Sequence, residues 1–185
     1  MGLLDRLKNQ AVRATSPVNG GNKSTQIVFQ DIPRTVVEFT ALHQAAMQNP
    51  FDTAAMFVVA MCAYPQNNAE ALAMLNYLKG PQPISDYEKQ FIADRMRGKD
   101  YLPFSFFAGA APANNYTPVK PYTISVSETP YSYQEQSYAK LVLQSSGADS
   151  PRPVQLRLAK DNRWYLWEQF LLSDIRQPED SNPWA

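Results

Sequence analysis

The hydrophobic period changes partway along the chain, and this change restricts the fold more than any other feature. From Tyr122 onward, apolar residues recur at every second position. Tyr122, Ile124 and Val126 are followed by Ala139, Leu141 and Leu143, then Val154, Leu156 and Leu158, then the run Trp164 to Phe170. Alternation puts one row of side chains on each face of a strand, so the four runs read as half-buried antiparallel strands. Asp161-Asn162 supplies a two-residue hairpin turn, since both residues tolerate positive φ. In that register Leu158 opposes Tyr165 and Leu156 opposes Trp167 on an apolar face, while Arg157 opposes Leu166 and Gln155 opposes Glu168. The second face is mixed and holds Tyr138, Val142, Trp164 and Leu166.

Before Tyr122 the spacing is helical, apart from Gln26–Phe29, a short strand or extended entry. Thr35 with Glu38 forms a capping box, opening a helix to Gln48 with Val36, Phe39, Leu42 and Ala46 as its core stripe. Asn49-Pro50 stops it. Asp52 is a good N-cap for a second helix to Ala63, which is apolar almost all round and therefore central. Asn67, three residues before Glu70, starts a third helix that ends at Gly80. Ser85 with Glu88 is a second capping box and opens a fourth, to Arg97. The fold class is α+β, with an N-terminal four-helix half packed on a C-terminal antiparallel meander of about four strands.

At 185 residues such a domain buries about 70% of its unfolded surface and needs no staples. A single Cys excludes an intrachain disulfide and a Cys-based zinc site, and a single His excludes a multi-His metal centre. No metal or cofactor is expected. The 17 basic and 17 acidic residues cancel, which removes the electrostatic case for nucleic acid or an anionic membrane. No apolar run approaches the roughly 20 residues of a membrane span, and the cytoplasm is the expected location. Residues 1–24 read as a basic amphipathic arm, with Leu3, Leu4, Leu7 and Ala11 at helical spacing, followed by a flexible linker. Residues 25–185 read as the single α+β domain.

Between the two halves lies Lys99 to Pro121, rich in proline and aromatics and without a clean period. Irregular stretches of this length are uncommon in compact domains and are usually functional. Tyr101, Phe104, Phe107, Asn114, Asn115 and Tyr116 in this stretch, together with Trp164, are the candidate contact surface. The segment is expected to be ordered, partly buried and laid over the mixed face of the sheet, with Asn114 and Asn115 making turn hydrogen bonds at its apex.

The stretches LKGPQPISDYEKQF (78–91), RGKDYLPFSFFAGAAPANNYTP (97–118) and SSGADSPRPVQLRL (145–158), continued by RWYLWEQFLLSDIR (163–176), are distinctive. Over about residues 27–184 the chain resembles a family of bacterial proteins classed as a domain of unknown function. The resemblance implies a bacterial cytoplasmic protein with one recurring domain, and it transfers no site residue.

The residues themselves offer little catalytic chemistry. His43 lies off the core stripe with no nucleophile or orienting acid beside it in sequence. Cys62 sits inside the most apolar helix and reads as a small core hydrophobe. Glu88 is accounted for by capping, and Asp94 and Asp100 alternate with Arg95, Arg97 and Lys99 as a solvated face. The turn 145–153 has the residues of a phosphate cradle, but a strand follows it where a helix would be needed. Arg152, Arg157, Lys160 and Arg163 surround Trp164 and Tyr165, a weak platform for single-stranded RNA because only Trp164 shares a face with Arg157. The leading reading is a non-enzymatic protein-interaction or structural module with a protein partner, nucleic acid being disfavoured. The alternative is a small-molecule or enzymatic pocket between the helices and a curved sheet, as in the nuclear-transport-factor-2 architecture. That analogy is one of fold and carries no function.

Overall fold

A computed structural model describes residues 23–184. The arm and most of the linker expected over residues 1–24 lie outside the described residues. Five strands, β1 (Ser24–Phe29), β2 (Tyr122–Ser127), β3 (Tyr138–Leu143), β4 (Arg152–Leu158) and β5 (Trp164–Gln169), form one antiparallel sheet in sequence order. The class is α+β, with one strand more than the alternation predicts. QIVF is a full strand paired with β2, Ile27 opposite Ile124. The helices are therefore an insertion between the first two strands of the sheet and not an N-terminal half.

Helix α1 (Val36–Thr40) is far shorter than the predicted run to Gln48. Thr40 Oγ1 donates back to the Val36 carbonyl at 2.9 Å, competing with the helical ladder. Leu42 is extended, a 3₁₀ turn covers His43–Ala46, and Met47 is left-handed at φ 52. Tertiary bonds replace the lost helical ones: the Tyr77 hydroxyl donates to Ala45 O at 2.8 Å, and Trp164 N–H to Met47 O at 2.8 Å. Helix α2 (Pro50–Cys62) begins earlier than expected. Asn49 is its cap, accepting from Asp52 N at 2.9 Å, and Pro50 takes the first-turn position where no N–H is needed. Helices α3 (Asn68–Lys79) and α4 (Asp86–Met96) begin at the predicted caps Asn67 and Ser85.

Helix α2 lies across the inner face of the sheet and touches all five strands. Phe57, Met61, Ile124, Leu141 and Leu156 are each no more than 1% exposed there. Helix α3 packs beside α2 and reaches β5, where Gly80, at φ +59, leaves room for the Tyr165 ring. Lys79 ties these parts together. Its ammonium donates to Glu88 Oε1 at 2.7 Å and to the Trp167 carbonyl at 3.3 Å, while Glu88 Oε2 accepts the Ser85 amide at 2.8 Å.

The segment 99–121 is ordered and partly buried, as expected, but it does not cover the second face. Strands β2 and β3 pair only through Val126–Leu143 and Ser127–Val142, and then diverge. The segment fills the gap. Phe107 bridges Ile124, Ala108 N–H donates to Thr123 O at 2.8 Å, and Ser146 N–H donates to Ser105 O at 3.0 Å. Buried hydroxyls close the seam: Gly147 N–H to Ser145 Oγ, Ser145 Oγ to Ser105 Oγ, and Ser105 Oγ to Leu102 O. Leu102, Phe106 and Phe107 thereby join the same core as α2.

The β4–β5 register also departs from expectation. Asn162 N–H bonds to Ala159 O and Ala159 N–H to Arg163 O, with Asn162 at φ 62. The loop therefore has three residues and a left-handed third position. Leu158 opposes Trp164, Arg157 opposes Tyr165 and Leu156 opposes Leu166. A bulge at Trp167 then restores the predicted pair Gln155–Glu168.

Candidate functional site

The structure does not gather the sequence-predicted contact residues into one surface. Phe107 and Tyr116 are core side chains, 3% and 1% exposed. Tyr101 is half-buried and stacks on Tyr116 with ring centroids 5.4 Å apart. The Tyr116 hydroxyl donates to Arg176 O at 2.5 Å. Asn114 and Asn115 are exposed. Asn114 makes the expected turn bonds, accepting from Ala111 N at 2.9 Å and donating to Gly109 O at 2.7 Å, whereas Asn115 reaches Asp180 Oδ2 at 2.5 Å. Trp164 is half-buried on β5, at the edge of the sheet three strands from β2. The register puts it beside Leu158 on the inner face, not beside Arg157 as the two-residue turn implied.

Arg157 meets Trp167 instead. On the outer face its guanidinium carbon lies 4.6 Å from the Trp167 ring centroid and 5.4 Å from that of Tyr138. The two rings meet edge to face at 5.8 Å. Tyr138, Val142 and Trp167 are half-buried and lie outside the main core cluster. Beside them Phe170, whose N–H donates to Pro153 O, is 52% exposed. The connection 128–137, anchored by Ser132 Oγ on Lys140 O at 2.5 Å, adds exposed Tyr131 and Tyr133. This cluster was hidden from sequence reasoning because it depends on the bulge. An aromatic followed by polar residues, Trp167-Glu168-Gln169, is its only local trace.

Among the described residues the inner face of the sheet offers no hollow of the nuclear-transport-factor-2 kind, since α2 occupies it. A cleft of about 1410 Å³ opens elsewhere, between the end of β1, α1, the C-terminal end of α2, and Phe104 and Tyr122. Its charged walls are balanced. Lys120 pairs with Asp31, and Glu38 Oε2 accepts the Arg34 N–H at 2.7 Å. The Arg34 guanidinium makes no ion pair among the described residues. Gln44 on the wall is 2% exposed. Its Nε2 donates to Val28 O at 3.0 Å, but its Oε1 has no partner among the described residues. An orphaned buried acceptor costs about 1–3 kcal/mol.

Of the other residues singled out in the sequence, Cys62, Arg152 and Gly147 are engaged structurally. His43 is exposed at the rim of the cleft. Burial pushes the Cys62 thiol up, away from thiolate chemistry. Arg152 does not face an open anion site: Nε donates to Ser173 O at 2.9 Å and Nη2 to Asp174 O at 2.8 Å, closing the 145–153 turn onto the tail. Gly147 in that turn lies against Tyr116, and a Cβ there would come within 2.0 Å of the Tyr116 hydroxyl oxygen. Among the described residues no helix is long and apolar enough to cross a membrane.

Comparison with curated proteins and with solved structures finds no match. A family model does match, over residues 31–179, from the loop after β1 through all four helices and the remaining strands to the tail. The chain accordingly belongs to the family described as Domain of unknown function (DUF6935), to which no specific activity is attached.

Proposed function

We propose that the chain is a non-enzymatic protein-interaction domain whose contact surface is the outer face of the sheet around Arg157. The observation that carries this reading is the Tyr138–Arg157–Trp167 cluster, a cation held over two rings on a face that bears no helix among the described residues. Tryptophan, tyrosine and arginine dominate the energetics of protein contacts, since they combine large apolar area with a polar or charged tip. The non-enzymatic part is supported by the side chains that might have done chemistry: Cys62 is buried and Glu88 is committed to its cap and to Lys79. The resemblance set out above supports a bacterial cytoplasmic setting.

The test is affinity capture from native lysate with the full chain and with Arg157→Glu and Trp167→Ala. The expected outcome is a protein enriched at least tenfold by the parent chain over both variants. Retention of a metabolite alone, or capture unchanged in both variants, would overturn the proposal.

A further inference from the structure

Among the described residues no helix or strand covers the aromatic surface on the outer face and the adjoining connection 128–137. Tyr131, Tyr133 and Phe170 are 65%, 49% and 52% exposed, and Val142 and Trp167 are half-buried. Exposed apolar groups gathered in one region mark a place where something binds. The register also fixes where the chain enters this region. Ser24 pairs with Ser127 and Ser127 with Val142, while Phe170 N–H reaches Pro153, the partner of Val142. One residue earlier, Lys23 O accepts the Glu128 N–H at 2.8 Å, and the Lys23 ammonium lies 5.3 Å from the Phe51 ring centroid. Residues 1–22 are therefore tethered at a fixed point, beside Glu128 and in line with Val142 and Phe170.

We propose that residues 3–13 dock on this face, with Leu3, Leu4, Leu7 and Ala11 against Val142, Trp167, Phe170 and the two tyrosines. Reach permits it. Strands lie about 4.8 Å apart, so β3 is about 10 Å and β5 about 19 Å from β1. Residues 14–22 span up to about 30 Å. As a helix, residues 3–13 are about 16 Å long, enough to lie across the same strands. Charge supports the same occupant. The segment carries Arg6, Lys8 and Arg13 against Asp5, and Glu128, Glu135 and Glu168 outnumber Lys140 and Arg157 on and beside the face. So short a helix is marginal alone, but the tether raises its local concentration to roughly the millimolar range. The docked segment is a built-in competitor that a protein partner displaces. That consequence rests on the contact-surface reading above, whereas docking itself is measured without a partner.

Trypsin digestion and hydroxyl-radical footprinting of the full chain test the docking. Cleavage after Arg6, Lys8 and Arg13 should be at least tenfold slower in the parent than in the double variant Tyr131→Ser with Phe170→Ser, whose exposed positions leave the core intact. The triple variant Leu3→Ser, Leu4→Ser and Leu7→Ser should raise oxidation of Tyr131, Tyr133 and Phe170 at least threefold. A smaller change in either measurement would overturn the proposal. Protection that grows with protein concentration would assign the segment to a second copy, and protection that appears only with phosphatidylglycerol vesicles would assign it to a membrane; either result overturns docking within the chain. Protection of both the segment and the face with no captured partner would uphold docking and sink only the contact-surface reading.

Discussion

On the inner face of the sheet Ile124, Leu141 and Leu156 disappear beneath α2, whereas on the outer face Tyr138, Val142 and Trp167 remain half-exposed with Arg157 lying over the rings. Both faces carry large apolar groups, so composition does not separate them. What separates them is the supply of covering elements. Helices α1 to α4 arise between β1 and β2 and return to one side, and the aromatic segment 99–121 follows them because the gap between β2 and β3 offers its backbone hydrogen-bond partners. Among the described residues the outer face receives no such element and is shaped by the Arg157 cation and the bulge at Trp167. The inner face is therefore where stability resides, and the outer face keeps its rings half-exposed.

The sharpest way to break this contrast is Phe57→Ala. Phe57 is 1% exposed in α2, and its truncation should cost about 3–5 kcal/mol in denaturant unfolding. A loss below about 1 kcal/mol would mean that α2 is not the seal. Gly147→Ala comes next. The new Cβ would overlap the Tyr116 hydroxyl, and overpacking of this kind costs about 1–3 kcal/mol. Adding Tyr116→Phe should recover part of that loss, since it removes the clashing oxygen, and the double variant measured by thermal melting checks the pairing.

On the outer face the expected effects are smaller. A double-mutant cycle with Arg157→Ala and Trp167→Ala should give a coupling of about 0.5–1 kcal/mol, the range of an accessible cation–π contact. A coupling near zero would mean that the Arg157 position is incidental.

The smallest expected effect is a dependence on pH. Burial opposes ionisation of Glu88 and is the largest single influence, but the Lys79 ammonium and the Ser85 bonds together outweigh it and hold the carboxyl below its usual range. Because the folded carboxyl is the stronger acid, its contribution is complete above the ordinary glutamate range and is lost as pH falls through the folded value. Melting temperature followed downward from neutral pH should therefore fall more steeply for the parent chain than for Glu88→Gln.

The parts of the fold legible in the sequence are those governed by neighbours a few residues apart. Asn67 and Ser85 cap α3 and α4 by bonding amides three positions on, and the alternation of Val154, Leu156 and Leu158 assigns its own face. The candidate surface was less legible. The mixed second face of the sheet calls for a cover, and the sequence offers Tyr101, Phe104, Phe107 and Tyr116 for it. Phe107 and Tyr116 are instead buried in the core, while Tyr101 and Phe104 stay half-buried.

The sequence by itself determined where α3 and α4 begin, that an apolar helix runs to about Cys62, which residues of β2, β3 and β4 face inward, and that the chain is α+β, because caps and hydrophobic periods act within one or two turns of chain. Only the tertiary structure decided that Ser24–Phe29 pairs with a strand nearly a hundred residues away, that the helix expected to reach Gln48 stops at Thr40 so that the Ala45 and Met47 carbonyls accept from Tyr77 and Trp164, and that a bulge at Trp167 turns an aromatic ring toward Arg157. In each of these, a backbone group chose between a local partner and a distant one, and the distant partner's position is set by the packing of the whole molecule.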